Sequence, residues 1–243
     1  MKDLSLLGSQ NPINTQDLGA RVKNESIARK PIKQKDSPRM TKKNIRFLKE
    51  EEVERILAVA KSGAYGHEPT DDSEVFLIYR NYMIILLAVT SGMRQGEIFG
   101  LTWLCINGTQ IEVKHSLKYL QHTQVLTAPK NGLTRTIEIP VAVAKAMEAW
   151  QEYQTDYAAR YKGLYQNHLN LVFTNVQGEA VNWHGFRSIF RSMIAAAGLD
   201  NFSLHDLRLY WGNAALSKGV PAKAVAKHLG HNNINIPLLI YTH

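Results

Sequence analysis

Residues 203–243, SLHDLRLYWGNAALSKGVPAKAVAKHLGHNNINIPLLIYTH, bring four groups with phosphate chemistry into one short stretch. His205 and Arg208 are three residues apart, so they share one face if this segment is a helix. His231 and Tyr241 follow near the end of the sequence. An imidazole and a guanidinium on one face, followed by a late phenol, suit a phosphodiester substrate with tyrosine as the nucleophile.

The spacing within this stretch predicts two helices. The segment PAKAVAKHL begins with Pro221, which suits a first helical position, and Gly230 suits the helix stop. His231 comes directly after that stop. The histidine is therefore expected at a helix end, ten residues before the tyrosine.

The composition is that of a globular protein of the cytosol. The 243 residues are 44% hydrophobic and 21% charged, which is enough for a large core. The single cysteine, Cys105, excludes an intrachain disulfide framework and fits a reducing compartment. No uninterrupted apolar run reaches the roughly 18 residues of a membrane span, so we expect a cytoplasmic protein with no membrane partner.

Positive charge is concentrated at the N-terminus. The chain carries a formal charge of +8, and residues 1–50 hold twelve Lys/Arg against five Asp/Glu, a net of +7. Residues 1–45 show no sustained apolar period and are expected to be a flexible linker or tail. Charge alone fits a DNA-contacting arm and a solvated tail equally well. As a DNA-binding arm, its candidate contact residues are Arg39, Lys42, Lys43 and Arg46.

The remaining residues predict an α+β fold that is mainly α, a helical body with one small antiparallel β-sheet. Strands are predicted near 109–113, 124–128, 134–139 and 171–174, and Asn131-Gly132 predicts a hairpin turn between the second and third of these. Helices are predicted at 48–63, 74–90, 94–101, 141–161 and 183–197, in addition to those of the last stretch.

Transfer of a phosphodiester needs fixed cations, because negative charge builds up on the phosphoryl oxygens in the transition state. Arg94 and Arg208 are the candidates, since a guanidinium binds two oxygens and keeps its charge. Lys130, on the predicted hairpin, is placed to protonate the leaving oxygen of the phosphodiester. His205 or His231 would accept the phenol proton or hold a phosphate oxygen.

Four ordered segments of the chain resemble the tyrosine recombinase, or phage integrase, family. TSGMRQGEIFGLTW resembles its first-arginine box and TAPKNGLTRTIEIP its β-hairpin lysine box, and LHDLR, LGH and the late tyrosine follow in order. The resemblance covers about residues 47–243. It implies a catalytic domain over 46–243, with the N-terminal core-binding domain of the family missing ahead of it. It also implies one supporting residue, Glu97, and six catalytic residues: Arg94, Lys130, His205, Arg208, His231 and Tyr241.

The resemblance also implies the reaction and its setting. Tyr241 would attack the scissile DNA phosphate to form a 3′-phosphotyrosine, and strand exchange and religation would follow with no ATP, metal or other cofactor. The expected partners are double-stranded DNA carrying attachment or recombination sites, further copies of the chain in a tetramer on DNA, and accessory DNA-bending or directionality proteins. The expected location is the bacterial nucleoid or a phage-infected cell.

Other interpretations remain open at this point. A type IB topoisomerase-like enzyme would use similar chemistry, and a DNA-binding remnant would use none. Singly, Arg94 suits an ion pair with Glu97, and Arg208 one with Asp206. His228 and His231 have the spacing of a metal pair, but neither a Cys pair nor a His-Glu helix motif accompanies them, so no metal is expected.

Overall fold

The computed structural model describes residues 47–120, 123–129, 132, 134–199 and 202–230. All of these residues belong to one compact unit. The predicted flexible arm over residues 1–45 lies outside the described residues, as do its four candidate DNA contacts, Arg39, Lys42, Lys43 and Arg46. The proposed boundary between arm and catalytic domain stays a prediction.

Seven α-helices and five β-strands lie within the described residues. The helices are α1 (Glu50–Ser62), α2 (Asp72–Ser91), α3 (Gln95–Phe99), α4 (Val141–Arg160), α5 (Trp183–Ala196), α6 (Leu204–Ser217) and α7 (Ala222–Leu229). The strands are β1 (Ile106–Asn107), β2 (Gln110–Val113), β3 (Ser116–Leu120), β4 (Thr123–Thr127) and β5 (Arg135–Glu138). The predicted α+β, mainly α class is confirmed, and the predicted helices are present with ends that agree to within two residues.

Helix α2 is the central helix of the unit, and α1, α4 and α6 pack against it. The Asp71 carboxylate accepts a hydrogen bond from the Glu74 backbone N–H at the start of α2, and Gly92 ends the helix in the left-handed conformation. Ten residues of α2 are buried, so its faces are covered on most sides by the other helices. This explains why residues 82–89 of α2 form an unbroken apolar run, without the one-sided stripe of a surface helix.

By length and composition alone, α2 is also sufficient to cross a membrane. Half of its most apolar window is buried inside the protein, which is the pattern of a core helix. It also carries buried Arg80, which donates to the Thr174 carbonyl at 3.0 Å and to the Asn81 side chain at 2.6 Å. A buried guanidinium whose partners are protein groups agrees with a helix in a protein core.

The strands form two small sheets, not the single sheet that was predicted. Strand β2 lies between β1 and β5 in a three-stranded antiparallel sheet, and β3 pairs with β4 in a two-stranded one. The predicted hairpin between β4 and β5 is wrong, because these two strands belong to different sheets. The hairpin is formed by β3 and β4, and β5 returns to pair with β2 across a longer separation in sequence.

The predicted strand at 171–174 is also wrong as an independent strand. Leu171 and Thr174 make only isolated bridges, to Thr102 and Ala180 respectively. The segment is buried, with Val172 and Phe173 in the core, so its apolar run reflects burial of a short connection rather than a sheet strand.

Two glycines allow α3 to lie directly on β3. A Cβ atom at Gly96 would lie 2.6 Å from the Ser116 Oγ, and one at Gly100 would lie 2.7 Å from the Leu117 backbone nitrogen. Neither distance can be tolerated without movement, so the close approach of helix to strand requires glycine at both positions. This contact fixes α3, and with it the residues at the start of α3, relative to the sheets.

Candidate active site

Arg94 and Glu97 are positioned by the turn between α2 and α3. Arg94 is the N-cap residue of α3, and its backbone N–H donates to the Glu97 Oε2 at 2.8 Å. The Arg94 Nη1 donates to the Glu97 Oε1 at 2.9 Å. The ion pair suggested by the sequence is therefore present, and the same carboxylate both starts α3 and orients the arginine.

The pKa of Glu97 lies below its usual range. Burial is the largest influence and acts to raise this pKa, but hydrogen bonds and positive charge outweigh it. Arg135 contributes most to the lowering, followed by the backbone and side chain of Arg94. Glu97 is thus a buried carboxylate, 1% exposed, that stays ionised at neutral pH.

Arg208 joins three elements of the site. Its side chain on α6 is 2% exposed, and it donates from Nη1 to the Gly92 carbonyl at 2.7 Å and from Nη2 to the Leu229 carbonyl at 2.6 Å. Asp206, the acid proposed as a partner for Arg208, accepts from the backbone and hydroxyl of Ser203 at the start of α6. The guanidinium of Arg208 is therefore held by backbone carbonyls at the ends of α2 and α7.

Arg94 reaches the same end of α7. Its Nη2 donates to the Gly230 carbonyl at 2.8 Å, next to the Leu229 carbonyl bound by Arg208. The two arginines predicted to bind phosphate are 114 residues apart in sequence and meet at one helix end. Two permanent cations meet at one point, and the Arg94 side chain is a quarter exposed, so the site is suited to an anion.

His205 lies one helical turn before Arg208 on α6, and its side chain is exposed. Desolvation by the surrounding protein lowers its pKa, and the positive charges of Arg208 and Arg94 lower it further, while Asp206 acts in the opposite direction. The imidazole is therefore neutral at neutral pH. A neutral imidazole beside two arginines is able to accept a proton or to hold a phosphate oxygen as a donor.

Three predicted residues lie outside the described part of the chain: Lys130, His231 and Tyr241. In the structure Arg94 contacts Glu97 directly, and Arg94 and Arg208 both bind the end of α7. His205 lies close enough to Arg94 and Arg208 for their charges to lower its pKa. The roles of all seven residues stay predictions.

The sequence did not indicate Arg135 as part of this site, and it indicated His228 only as one member of a possible metal pair. Arg135 binds both oxygens of Glu97 with its guanidinium, Nη1 to Oε1 at 2.9 Å and Nη2 to Oε2 at 2.7 Å. The available signal was Arg135 itself, a second cation within the lysine box TAPKNGLTRTIEIP. It begins β5, in which the following residues alternate between exposed and buried.

His228 has a structural role in this arrangement. Its Nε2 donates to the Ser91 carbonyl at 2.8 Å, and its ring stacks on Trp211 with centroids 3.9 Å apart. Burial lowers its pKa, against the effect of the Ser91 bond, and the charges of Arg135 and Arg208 lower it further. Among the described residues no group of three or more His, Cys, Asp or Glu side chains is arranged to hold a metal ion.

Gly92→Ala is expected to lower the free energy of unfolding by about 2 kcal/mol or more. Gly92 has φ +61°, and a Cβ there would lie 2.9 Å from both the Leu229 Cδ2 and the Trp211 Cε3. Gly108→Ala isolates the effect of a positive φ, because Gly108 has φ +56° and a Cβ there would have no atom within 4 Å. Gly66→Ala is the neutral control, because Gly66 has an ordinary φ and open space around its Cβ position. Urea unfolding of the three variants measures the difference. Equal losses for Gly92→Ala and Gly108→Ala would contradict tight packing at the end of α2.

These observations define a class of site: two arginines, a carboxylate that orients one of them, and a neutral histidine, assembled where α2, α6 and α7 meet. The sequence model of the phage integrase family matches residues 46–243. The chain belongs to the phage integrase family.

The chain is similar to several proteins of known name or structure. It is 26% identical to the "tyrosine recombinase XerC-like" protein of Caldanaerobacter subterraneus subsp. tengcongensis, over 93% of this chain and 58% of that protein. It is 24% identical to tyrosine recombinase XerC of Roseiflexus castenholzii, over 89% of this chain and 61% of that protein. The integrase of transposon Tn1549, solved in complex with transposon right end DNA, superposes with a TM-score of 0.64 at 18% identity, over 84% of this chain and 63% of that chain.

The structural likeness confirms the predicted recombinase fold. The chain spans about three fifths of the length of these two tyrosine recombinase relatives.

Proposed function

We propose that this chain carries the catalytic domain of a site-specific DNA recombinase that cleaves and rejoins DNA through a tyrosine. The observation that supports this most directly is the meeting of Arg94 and Arg208 at the end of α7, with Glu97 orienting Arg94. Family membership over residues 46–243 supports the same reaction class. The DNA-bound Tn1549 integrase and the named tyrosine recombinases support DNA as the substrate.

In this reaction the Tyr241 oxygen attacks the scissile phosphorus and forms a 3′-phosphotyrosine bond. The bond from phosphorus to the 5′ oxygen breaks, and Lys130 gives that oxygen a proton to leave a 5′-hydroxyl. Arg94 and Arg208 bind the two non-bridging oxygens, where negative charge increases in the transition state. His205 or His231 takes the phenol proton or holds a phosphate oxygen.

Religation is the reverse of cleavage with a different strand. The 5′-hydroxyl of a partner strand attacks the phosphotyrosine, the new phosphodiester forms, and the phenol of Tyr241 is released. Because the phosphotyrosine keeps the bond energy of the DNA backbone, religation needs no ATP. The proposed partners are double-stranded DNA carrying recombination sites, three further copies of the chain in a tetramer on DNA, and accessory DNA-bending or directionality proteins, all in the bacterial cytoplasm.

Covalent capture of DNA tests this proposal. The chain is incubated with a pool of labelled, nicked duplexes of randomised sequence, in which the short 5′-hydroxyl strand released on cleavage diffuses away and prevents religation. We expect a DNA-shifted band under denaturing conditions with the wild-type chain and none with Tyr241→Phe, because the phenylalanine has no nucleophilic oxygen.

The other outcomes separate the alternatives. Binding of DNA with no captured band from the folded wild-type chain would favour a DNA-binding remnant. If the chain captures DNA and relaxes supercoiled plasmid but never joins strands of two duplexes, a topoisomerase-like activity would be favoured.

A further inference from the structure

Three arginines cap three consecutive carbonyl groups at the C-terminal end of α7. Arg135 donates from Nε to the His228 carbonyl at 2.7 Å. Arg208 and Arg94 donate to the next two carbonyls, those of Leu229 and Gly230, at 2.6 and 2.8 Å. The last carbonyls of a helix have no partners within the helix and carry its negative partial charge, so they favour cations. Two of these three arginines already have a proposed catalytic role, and Arg135 has none.

Arg135 uses all three of its guanidinium nitrogens for this site. Nη1 and Nη2 form a two-bond fork on the Glu97 carboxylate, and Nε binds the His228 carbonyl. Its side chain is only 11% exposed, so the three bonds lie in a largely dry environment. A fork of this kind fixes orientation as well as distance, and a lysine cannot reproduce it.

The charge balance shows what the fork does for Arg94. Both oxygens of Glu97 are bound by Arg135, whereas the Arg94 side chain binds only one of them. The single negative charge is therefore shared between two guanidinium groups, and a net positive charge remains. Arg94 is also the more exposed of the two, at 25% against 11%, so the remaining charge faces solvent at Arg94. Without Arg135, the carboxylate would neutralise Arg94 itself.

We propose that Arg135 is a positioning residue for DNA strand transfer. It takes up most of the Glu97 charge, so that Arg94 meets the phosphate with its own charge only partly compensated, and it ties the end of α7 to β5. This role rests on the proposed function, because it concerns the rate of phosphoryl transfer at Arg94 and Arg208. Arg135 acts through Glu97 and the end of α7, and it needs no contact with DNA.

The packing at Gly230 supports the second half of this role. A Cβ atom there would lie 3.2 Å from the Arg135 Nη1 and 3.4 Å from its Cδ and Cζ, and Gly230 has φ +65°. The guanidinium therefore lies directly against the backbone that ends α7. A side chain at this position would push the fork away from its partners while leaving every charge in place.

Arg135→Lys tests the proposal, with the duplex enriched in the capture assay as the substrate. We expect the single-turnover rate of capture at saturating DNA to fall about tenfold or more, because the charge is kept but the fork is lost. The concentration of DNA that gives half the maximal rate should change less than twofold. Arg160→Lys is the matched control, since Arg160 lies on an exposed ion pair with Asp72 at the far end of α2, and its rate should equal that of the wild type.

The pH dependence of the rate separates positioning from simple loss of structure. Arg135 is the main cause of the lowered pKa of Glu97, so its replacement should raise that pKa. The acid limb of the rate profile should therefore move to higher pH in Arg135→Lys, and Gly230→Ala should shift it in the same direction by displacing the guanidinium. Gly230→Ala also keeps the test available if Arg135→Lys does not fold.

Three results can be distinguished. A capture rate of Arg135→Lys equal to that of the wild type would overturn the proposal. A slower rate would also overturn it if the acid limb of the pH profile stayed in place and the loss of rate matched the loss of folded protein. Absence of Tyr241-dependent capture in the wild-type chain would instead overturn the proposed function.

Discussion

Arg208→Ala is expected to lower the rate of covalent DNA capture by about a hundredfold or more. Removal of one preorganised donor for the transition-state charge typically has an effect of this size. Arg208 is also buried, and it holds the carbonyls of Gly92 and Leu229. The substitution therefore removes the proposed phosphate ligand and, at the same time, two bonds that bring the ends of α2 and α7 together.

The loss of these bonds should also lower stability. A buried carbonyl that loses its donor costs about 1–3 kcal/mol, so two such carbonyls predict a loss of several kcal/mol. The capture rate must accordingly be measured well below the melting temperature of the variant, with the folded fraction determined by circular dichroism. Arg208→Lys keeps the charge and should retain more activity than Arg208→Ala.

Arg160→Ala serves as the control for loss of one positive charge. Arg160 pairs with Asp72 on the surface, at the opposite end of the 20-residue α2 from Gly92. Removal of an exposed pair changes stability by about 0–1 kcal/mol. A rate for Arg208→Ala equal to that of Arg160→Ala would contradict the assignment of Arg208 to the phosphate.

Glu97→Gln is expected to lower the free energy of unfolding by about 3–5 kcal/mol, since it leaves buried charge without its partner. The neutral amide would face the guanidinium groups of Arg94 and Arg135 and could not accept all the bonds that the carboxylate accepts. Glu138→Gln, an exposed acid on β5, is the matched control and should change stability by less than about 0.5 kcal/mol. Urea unfolding at neutral pH measures both variants. Similar losses for the two would contradict a structural role for the buried carboxylate.

The same carboxylate predicts a pH dependence of stability. The pKa of Glu97 is lower in the folded chain than in the unfolded one, so its contribution is fully present above the unfolded pKa of about 4.3. That contribution is lost as the pH falls through the folded pKa, because protonation breaks the pairs with Arg135 and Arg94. The wild-type chain should therefore approach the stability of Glu97→Gln in acid, and the difference between them should be largest at neutral pH.

The helices could be predicted from local signals. Asp71 marks the start of α2 and Gly92 its end, while Gly63 ends α1 and Gly230 ends α7. Each of these signals lies within a few residues of the helix that it limits. Helix ends of this kind depend on caps and on backbone conformation, which the sequence displays directly.

The strand pairing could not be predicted in the same way. Asn131-Gly132 is a strong hairpin signal, but β5 pairs with β2, with Arg135 opposite Val113. Nothing local distinguishes a strand that turns back on its neighbour from one that returns to an earlier strand. The choice is made by burial of Ile111, Val113 and Ile137 against the core.

The contacts of the site likewise include one that local sequence predicts and others that it does not. Arg94 and Glu97 are three residues apart at a helix start, so their pairing was visible in the sequence. Arg135 binds Glu97 and the His228 carbonyl, 38 and 93 residues away. Arg208 binds the Leu229 and Gly92 carbonyls, 21 and 116 residues away. The convergence of three arginines on one helix end therefore depended on tertiary packing, and a sequence pattern could indicate the residues but not their common target.

The proposed cleavage of DNA through Tyr241 is tested most directly by locating the covalent bond between protein and DNA. The captured species is digested with nuclease and protease, and the modified peptide is sequenced by mass spectrometry. We expect a deoxynucleotide joined through its 3′ phosphate to Tyr241, together with a released strand that ends in a 5′-hydroxyl. A nucleotide on another residue, a linkage through a 5′ phosphate, or cleaved DNA with no protein attached would contradict the account.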